Sequence, residues 1–349
     1  MTTALELRNV SQAFGTNGVL DSVSFAVREG SITALLGPSG VGKTTLLRII
    51  CGFETPQHGS VFINSQLVAR DGQSLVAPEH RGVGLVPQEG SLFPHLSVSA
   101  NIAFGLQQRR SAATRRRVQE MLDLVDLSSC ADMRPDQLSG GMQQRVALAR
   151  ALAPSPAVVL LDEPFASLDA SLRATVRSEI VEVLRRSGAT TLWVTHDQQE
   201  ALSCADTVAL LLDHRIAQCG APVELYRSPA SRQVAEFVGE AVQLSGVASG
   251  GTVAGSFVEC ALGRLATTST HDGRVTVILR PEQLELDESN NGTAPRGTVV
   301  ASRFYGHDGE IDVRLANGEV VVARLHARLL PQVGAEVALR VTGQVLAFA

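Results

Sequence analysis

The segment Gly37-Pro38-Ser39-Gly40-Val41-Gly42-Lys43-Thr44 has the residue types and the spacing that bind the phosphates of a nucleotide. It follows the pattern GxxxxGK[ST], in which glycines let the backbone curl until several N–H groups point inward. A helix that begins at the end of such a loop adds the positive end of its dipole, and the Lys43 ammonium reaches the β- and γ-phosphates. The alternative is a glycine-rich turn with an incidental lysine. An apolar run ending at Leu36 and a helical run after the loop favour the phosphate loop, and Lys43 is the one lysine of the chain.

Hydroxyl and carboxyl groups suited to Mg²⁺ complete this chemistry. Thr44 is suited to Mg²⁺, which prefers oxygen ligands, and Thr45 to a hydrogen bond with an inner phosphate. Asp162 and Glu163 follow the apolar run 158–161, and open parallel sheets place ligands at such strand ends. Because adjacent strand residues point to opposite sides, we assign Asp162 to Mg²⁺ through water and Glu163 to the attacking water as general base. Taken alone, such an acid pair is as often a helix cap.

Two more polar residues follow strand-like runs. His196 follows Thr191–Thr195, so the same sheet edge would deliver it to the nucleotide, although a lone histidine is more often structural. Gln88 follows the run 84–87 and is suited to contact Mg²⁺ or the attacking water, but alone it carries little information. We include both residues in the predicted catalytic set.

A second anion-binding end is predicted at Ser139, Gly140 and Gly141, which stand immediately before the helical run 142–152. Free N–H groups and a hydroxyl at a helix N-terminus bind phosphate, although they also make an ordinary N-cap. Two anion sites and a single nucleotide loop suggest a site shared between two chains.

The elements that position these residues alternate between strands and helices from Ala4 to about residue 238. This alternation predicts a largely parallel sheet covered by helices. The strand-like runs are 31–36, 158–161, 191–195 and 208–212. The helix-like runs are 44–50, 114–125, 142–152 and 172–186. After Gly239, short alternating runs at 275–279, 311–315 and 320–325 indicate an all-β domain. We therefore expect two domains, 1–238 and 240–349.

The composition is that of a globular protein. The 349 residues are 44% hydrophobic and 19% charged, with a net charge of -5, which argues against nucleic acid as a partner. The five cysteines are far apart and form no CxxC pair, so we expect reduced thiols in a cytosolic protein. No apolar run approaches the roughly 20 residues that span a bilayer, so we expect a chain that is neither exported nor inserted.

The order and spacing of the motifs across residues 4–238 closely resemble the ABC transporter ATPase family. The resemblance rests on the phosphate loop 37–44, the signature-like segment 138–143 and the pair Asp162 and Glu163. It implies an α/β fold, namely a P-loop NTPase (ABC ATPase) domain with an inserted helical subdomain at roughly 90–157. It also implies ATP and Mg²⁺ as cofactors and a homodimer in which two copies close head to tail on the nucleotide.

The resemblance further implies roles for residues that pattern alone does not assign. Phe14 matches the position where an aromatic ring stacks on adenine, and Gln88 would link the nucleotide state to a membrane partner. The residues that would contact the ATP of the partner chain are Ser139, Gly140, Gly141 and Gln143. The residues that would line the dimer seam are Ser167, Leu168 and Asp169, with Ser167 in place of the usual alanine.

The C-terminal region resembles the OB-like TOBE domains that follow the ATPase in importers for iron, polyamines, sulfate and sugars, and Arg280-Pro281-Glu282 matches a recurring element there. An OB-like barrel could instead bind nucleic acid, but residues 241–349 hold nine arginines against eleven acids. We expect regulation or dimer support. The segment 87–96 looks most like that of ferric-iron importers, in which Glu89-Gly90 follows the glutamine.

The sequence thus predicts the ATPase subunit of an ABC importer, with ferric iron as the favoured cargo. The implied partners are two transmembrane permease subunits and, indirectly, an extracytoplasmic solute-binding protein, and the implied location is the cytoplasmic face of the cell membrane. The alternatives are a polyamine, sulfate or sugar importer ATPase and, more distantly, a soluble ABC protein acting on ribosomes or DNA. The last class normally carries two cassettes or a coiled-coil insertion, and this sequence has one cassette.

Overall fold

The contacts within the chain divide it between Leu225 and Tyr226. The computed structural model describes residues 2–88, 92–106, 111–166, 168–249, 256–267, 270–287 and 294–349. The dividing point precedes the boundary expected near residue 240. The reason is that the backbone carbonyls of Ala235 and Gly239 accept hydrogen bonds from Arg280, so this stretch packs with the second unit.

The first unit contains eleven strands and six complete helices among its described residues. The strands are β1 (Thr3–Phe14), β2 (Asn17–Arg28), β3 (Ile32–Leu36), β4 (His58–Ile63), β5 (Gln66–Arg70), β6 (Gln73–Ser74), β7 (Val83–Val86), β8 (Val158–Asp162), β9 (Thr191–Thr195), β10 (Thr207–Leu212) and β11 (Arg215–Gly220). The helices are α1 (Lys43–Cys51), α2 (Val98–Ile102), α3 (Ala112–Leu124), α4 (Gly140–Leu152), α5 (Ala170–Ser187) and α6 (Gln198–Cys204). The eight strand and helix segments predicted for this region are confirmed.

A six-stranded sheet with the order β11-β10-β3-β9-β8-β7 forms the centre of the first unit. All its pairs are parallel except that of the edge strand β11 with β10. Leu36 of β3 pairs with Thr195 of β9, and Val194 pairs with Asp162 of β8. The strands therefore end at the same edge of the sheet.

Both faces of this sheet are buried at β3, β8, β9 and β10, which explains why these strands are nearly continuous apolar runs. Successive residues point to opposite faces. Leu161 and Trp193 belong to a core shared with α3, α4 and α5, whereas Leu160 and Val194 belong to a core shared with α1. The strand ends are therefore held rigidly between two layers.

A second sheet, antiparallel and with the order β2-β1-β4-β5-β6, was not predicted. Its inward residues, such as Leu5, Val23 and Val61, join the core that contains Ile49 and Ile50 of α1. Buried and exposed residues alternate along the long strands β1 and β2. This alternation is typical of a sheet with one face packed on the core, here on α1, and the other face exposed to solvent. This layer fixes the helix that follows the phosphate loop.

The second unit is built mainly from two five-stranded antiparallel sheets. After α7 (Pro222–Arg227) and α8 (Arg232–Val238), its strands are β12 (Val242–Ser249), β13 (Phe257–Cys260), β14 (Gly263–Ala266), β15 (Gly273–Leu279), β16 (Leu284–Leu286), β17 (Arg296–Phe304), β18 (Asp308–Leu315), β19 (Val320–His326), β20 (Glu336–Val341) and β21 (Leu346–Phe348). The sheet orders are β14-β13-β12-β15-β21 and β16-β20-β17-β18-β19, around one apolar core. The expected β texture after residue 239 is confirmed. No helix in the described parts of either unit has the length and apolar character needed to cross a bilayer.

Candidate active site

The register of the parallel sheet brings the predicted catalytic segments to one edge. The phosphate loop, residues 37–44, follows β3, and His196 follows β9. Asp162 ends β8 and Glu163 comes next, while Gln88 follows the end of β7 by two residues. Residues from four separate parts of the sequence therefore share the carboxyl edge, where open α/β sheets bind ligands.

The fold requires glycine at several positions of the phosphate loop. Gly40 and Gly42 have φ values of +81° and +112°, a region that favours glycine. A Cβ atom at Gly37 would lie 2.4 Å from the Leu211 carbonyl oxygen, and one at Gly42 would lie 2.5 Å from the Val19 carbonyl oxygen. The glycines of the motif therefore allow both a tight curl and close packing against neighbouring backbone.

Lys43 is the first residue of α1 and is only 5% exposed. Its Nζ donates to the carbonyl oxygens of Gly37 and Pro38, at 2.8 and 2.9 Å. Burial lowers the pKa of Lys43, and the nearby charges of Glu163 and Asp162 act in the opposite direction. The loop thus holds the ammonium group through neutral carbonyls, which phosphate oxygens can replace.

Glu163 is held next to His196. Glu163 Oε2 lies 3.0 Å from His196 Nδ1. The backbone of Glu163 has φ of +43° and its N–H donates to the Val194 carbonyl oxygen at 3.0 Å. A left-handed conformation is uncommon for a residue other than glycine, so the surrounding sheet imposes it. The result is a carboxylate presented just beyond the sheet edge.

Asp162 is partly buried, and its ionised form is disfavoured. Burial raises its pKa, the adjacent Glu163 charge raises it further, and the Lys43 charge lowers it. Added positive charge at this point would therefore be favourable.

The oxygen-bearing side chains of Asp162 and Thr44 have the chemistry that suits Mg²⁺. Asp162 offers a carboxylate oxygen, and Thr44 offers an exposed hydroxyl in the first turn of α1. Within the ranges that the structure describes, no group of three or more His, Cys, Asp or Glu residues could hold a metal ion. A carboxylate and a hydroxyl suit Mg²⁺, which commonly keeps waters and shares phosphate oxygens with one or two protein ligands.

A hydrogen-bond network beneath His196 was missed by sequence reasoning. The Thr195 hydroxyl donates to the Glu200 carboxylate at 2.7 Å and accepts from the Asp197 N–H at 3.0 Å. The Asp197 carboxylate in turn accepts from the Glu200 N–H, which caps α6. A cavity of about 100 Å³ lies beside this network and is lined in part by Glu163, His196 and Glu200. The spacing in the sequence between the hydroxyl residue Thr195 and the acid Glu200 is the feature that could have indicated this network.

Four other residues predicted for the nucleotide site are exposed, and one is partly buried. The Phe14 side chain ends β1 and is 50% exposed, and Gln88 is also exposed. Pro38 and Ser39 are exposed within the loop, whereas Thr45 is partly buried. The Phe14 ring is therefore free of the core and available for stacking on a base.

The predicted second anion site lies at the N-terminus of α4. Ser139 is the N-cap, and its hydroxyl accepts from the Met142 N–H at 3.3 Å. A Cβ atom at Gly140 would lie 3.0 Å from the Leu168 side chain, and one at Gly141 would lie 2.6 Å from Val176. The glycines thus allow α4 to approach α5 closely while leaving backbone N–H groups at the helix end.

Gln143 supports this helix end from behind. Its side-chain amide donates to the Pro135 carbonyl oxygen at 2.9 Å and to the Leu138 carbonyl oxygen at 3.3 Å. In this structure its side chain therefore braces the segment that precedes Ser139.

The predicted seam residues lie before α5. Leu168 is buried in the core, Asp169 is exposed at the N-cap position of α5, and Ser167 is outside the described residues. Glu89 and Gly90, whose place after the glutamine gives the likeness to ferric-iron importers, are also outside them.

Arg81 is a second feature that the sequence did not reveal. It is 3% exposed, and its guanidinium donates to the carbonyl oxygens of Ile49 and Ile50 at the end of α1. It also donates to the carbonyl oxygens of Val68 and Val76. Arg81 therefore ties the far end of the phosphate-loop helix to the antiparallel sheet. An isolated arginine before a short strand gave no indication of this role.

Two protein-family models match separate parts of the chain. The model of a family described as "ABC transporter" matches residues 20–166, and that of the "TOBE domain" matches residues 277–348. The first match contains the phosphate loop, the signature segment and the acid pair.

Full-length relatives are similar across both units. A protein named "Fe(3+) ions import ATP-binding protein FbpC 2" from Rhodococcus jostii is 47% identical, over 100% of this chain and 99% of its own length. A namesake from Pectobacterium atrosepticum is 42% identical over 99% of both chains, and a Pseudomonas fluorescens relative is 44% identical over 97% and 96%.

The chain is also similar to a solved structure. This structure is cbiO1 from Clostridium perfringens, described as part of the ABC transporter complex cbiONQ. The TM-score is 0.59 at 26% identity, covering 67% of this chain and 95% of that chain.

Proposed function

We propose that this chain, which belongs to the ABC transporter family of ATP-binding proteins, hydrolyses ATP to drive the uptake of ferric iron. One observation carries the catalytic part: the phosphate loop with Lys43, the acid pair and His196 meet at one sheet edge. The cargo follows from full-length similarity to proteins named for Fe(3+) import.

In this proposal the triphosphate of ATP occupies the loop 37–44. The Lys43 ammonium exchanges the carbonyl oxygens of Gly37 and Pro38 for β- and γ-phosphate oxygens, and the buried positive charge gains an anionic partner. The Phe14 ring stacks on the adenine, and Thr45 donates to an inner phosphate. Thr44, Asp162 and Gln88 would hold Mg²⁺, which when bound would supply positive charge to the phosphate oxygens.

Hydrolysis uses Glu163 as the general base. Its carboxylate accepts a proton from water as the water oxygen bonds to the γ-phosphorus and the bond to the bridging oxygen breaks, which releases ADP and phosphate. His196 supports the step by holding Glu163 through Nδ1, at 3.0 Å in this structure. The left-handed backbone of Glu163 fixes the direction from which the carboxylate reaches the water.

We further propose that two copies share two nucleotides head to tail. The N-terminus of α4, with Ser139, Gly140 and Gly141, offers a cap hydroxyl and backbone N–H groups to the γ-phosphate bound by the other copy. Gln143 positions that end of the helix, and the segment 167–169 lies at the seam. Binding energy for the closed dimer then supplies the mechanical stroke, and hydrolysis reopens it.

The remaining partners follow from the transport function. Two transmembrane permease subunits receive the stroke at the cytoplasmic face of the cell membrane, and an extracytoplasmic solute-binding protein delivers the cargo. Gln88 reports the nucleotide state to the permeases. The β-rich second unit supports the dimer or regulates it.

Reconstitution with its permease pair in liposomes tests this proposal. We expect Fe³⁺-loaded binding protein to stimulate phosphate release, and Glu163→Gln to abolish the stimulation. Stimulation only by polyamine, sulfate or sugar with their binding proteins would reject iron as cargo and keep the ATPase. Absence of phosphate release under every condition would reject both.

A further inference from the structure

The turn between β10 and β11 has an unusual residue at a strained position. Asp213 and His214 have φ values of +45° and +67°. Two consecutive residues with positive φ make the tight turn of a two-residue hairpin, in which the second position is most often glycine. A histidine in the left-handed region is uncommon, and such an outlier in a folded protein suggests a specific use.

The imidazole ring of His214 bridges two carbonyl oxygens. Its Nδ1 lies 2.9 Å from the Val19 oxygen of β2 and 3.2 Å from the Val41 oxygen. Because carbonyl oxygens only accept hydrogen bonds, Nδ1 must carry the hydrogen. Val41 belongs to the phosphate loop, so this ring connects the turn directly to the loop that receives the phosphates.

The turn itself is anchored, so the ring has a fixed base. The Asp21 N–H donates to the His214 carbonyl oxygen at 2.9 Å, and Arg215 Nε donates to the Asp21 carboxylate at 2.8 Å. Earlier in the same hairpin, the Leu211 carbonyl oxygen packs against Gly37 so closely that no Cβ atom would fit. The β10–β11 hairpin therefore meets the phosphate loop near both its beginning and its end.

Fixing the Val41 carbonyl oxygen also fixes the direction of a phosphate-binding donor. The peptide unit is planar and trans, so the Val41 C=O and the Gly42 N–H point in opposite directions. His214 holds the Val41 carbonyl oxygen towards the β10–β11 turn. The Gly42 N–H of the same peptide unit therefore points away from that turn. Gly42 adopts this orientation at φ of +112°. Because glycine has no Cβ atom, this backbone conformation is not strained.

We propose that His214 is a positioning residue for nucleotide binding, which aims the Gly42 N–H at the phosphates by holding the Val41 carbonyl oxygen. The inference rests on the proposed ATPase function and adds a residue outside the phosphate loop and the acid pair. A residue with a purely structural role in the turn would affect folding stability and leave nucleotide affinity unchanged.

The test compares MgATP affinity and thermal stability in full-length variants. His214→Gly removes the ring and relieves the left-handed backbone, so we expect an unchanged or higher Tm without nucleotide. With the loss of one positioning hydrogen-bonding group, we expect Kd for MgATP to rise about fivefold, KM to rise similarly and kcat to stay within about twofold. His214→Asn, which tolerates the same backbone with a shorter side chain, should behave in the same way.

Asp213→Gly is the matched control, since it adds glycine flexibility to the same turn and keeps the ring. We expect its Kd for MgATP to equal that of the wild type within about twofold. A wild-type Kd in both His214 variants, or an equal rise in Asp213→Gly, overturns the positioning role. If the wild-type chain itself does not bind MgATP, the proposed function fails and this inference fails with it.

Discussion

The sheet edge of the first unit and the ion pairs of the second unit hold their ionised residues in opposite ways. At the sheet edge, burial lowers the pKa of Lys43 and raises the pKa of Asp162, so both charged forms are disfavoured before a ligand arrives. In the second unit, the hydrogen bond to Asp312 raises the pKa of Arg303, and Arg324 pairs with Glu310. Charges that are already matched stabilise a domain, whereas strained ones are typical of functional sites.

The largest effect that would sharpen this contrast is expected for Glu163→Gln. Loss of a general base slows the chemical step by about 10²- to 10⁴-fold, while an amide of the same shape leaves MgATP affinity nearly unchanged. Phosphate release and equilibrium binding measured on one preparation check both parts. Hydrolysis within about twofold of wild type would remove Glu163 from its proposed role.

Lys43→Ala comes next. It removes a charge-assisted contact worth about 3 kcal/mol, so we expect Kd for MgATP to rise about a hundredfold. Arg303→Ala in the second unit serves as the control, because it removes a positive charge from a partly buried ion pair outside the phosphate loop and should leave this Kd unchanged. Equal affinity in wild type and Lys43→Ala would show that the buried ammonium does not bind phosphate.

Two buried arginines allow a matched comparison between the units. Arg81 donates to carbonyl oxygens at the end of α1, and Arg280 donates to those of Ala235, Gly239 and Glu240. Replacement of either by methionine leaves buried carbonyl groups unpaired, so we expect each to cost about 3 kcal/mol of unfolding free energy in its own unit.

Trp193, the one tryptophan of the chain, reports on the first unit alone. In urea, Arg81→Met should shift the Trp193 fluorescence transition, whereas Arg280→Met should shift only the circular dichroism signal of the β-rich unit. A shift of the Trp193 transition by Arg280→Met would show that the two units do not unfold separately.

A smaller, pH-dependent effect is expected for Glu200→Gln. Burial raises the pKa of Glu200, and the hydrogen bond from Thr195 opposes this. A raised pKa means that the ionised form is disfavoured in the folded state. The protonated acid therefore makes its full contribution to stability at pH values below the unfolded-state pKa. This contribution is lost as the pH rises through the folded-state pKa.

The stability of the wild type relative to Glu200→Gln should therefore fall as the pH rises above the unfolded-state pKa of a glutamate, about 4.3, and through the higher folded-state pKa, as measured by urea unfolding with Trp193 fluorescence. Because glutamine stays neutral, its own curve lacks this contribution. A difference between the two proteins that is constant with pH would argue against a strained carboxyl group beneath His196.

Much of the first unit could be predicted because its elements carry local patterns. The apolar runs that became β3, β8 and β9 are buried on both faces, and glycines marked the loop that follows β3. Placing Glu163 and His196 at one edge required only the assumption of parallel strands. The 3.0 Å contact between them confirms that the two residues meet, whereas their catalytic roles remain proposals.

What the sequence could not reveal depends on contacts between distant segments. The antiparallel sheet pairs β1 with β4 across the phosphate loop and α1, and no local pattern encodes that pairing. Arg81 and His214 look ordinary in the sequence, because their roles arise only where they meet the carbonyl oxygens of Ile49 and Val41. Long-range hydrogen bonds from single polar residues are therefore the part that required a structure.

The most direct test of the central claim is a crystal structure of the Glu163→Gln variant grown with saturating MgATP. We expect the triphosphate in the loop 37–44 with Lys43 Nζ on its β- and γ-oxygens, and Ser139 of a second copy facing the γ-phosphate. A loop that stays empty under these conditions, with Lys43 still on the carbonyl oxygens of Gly37 and Pro38, would contradict it.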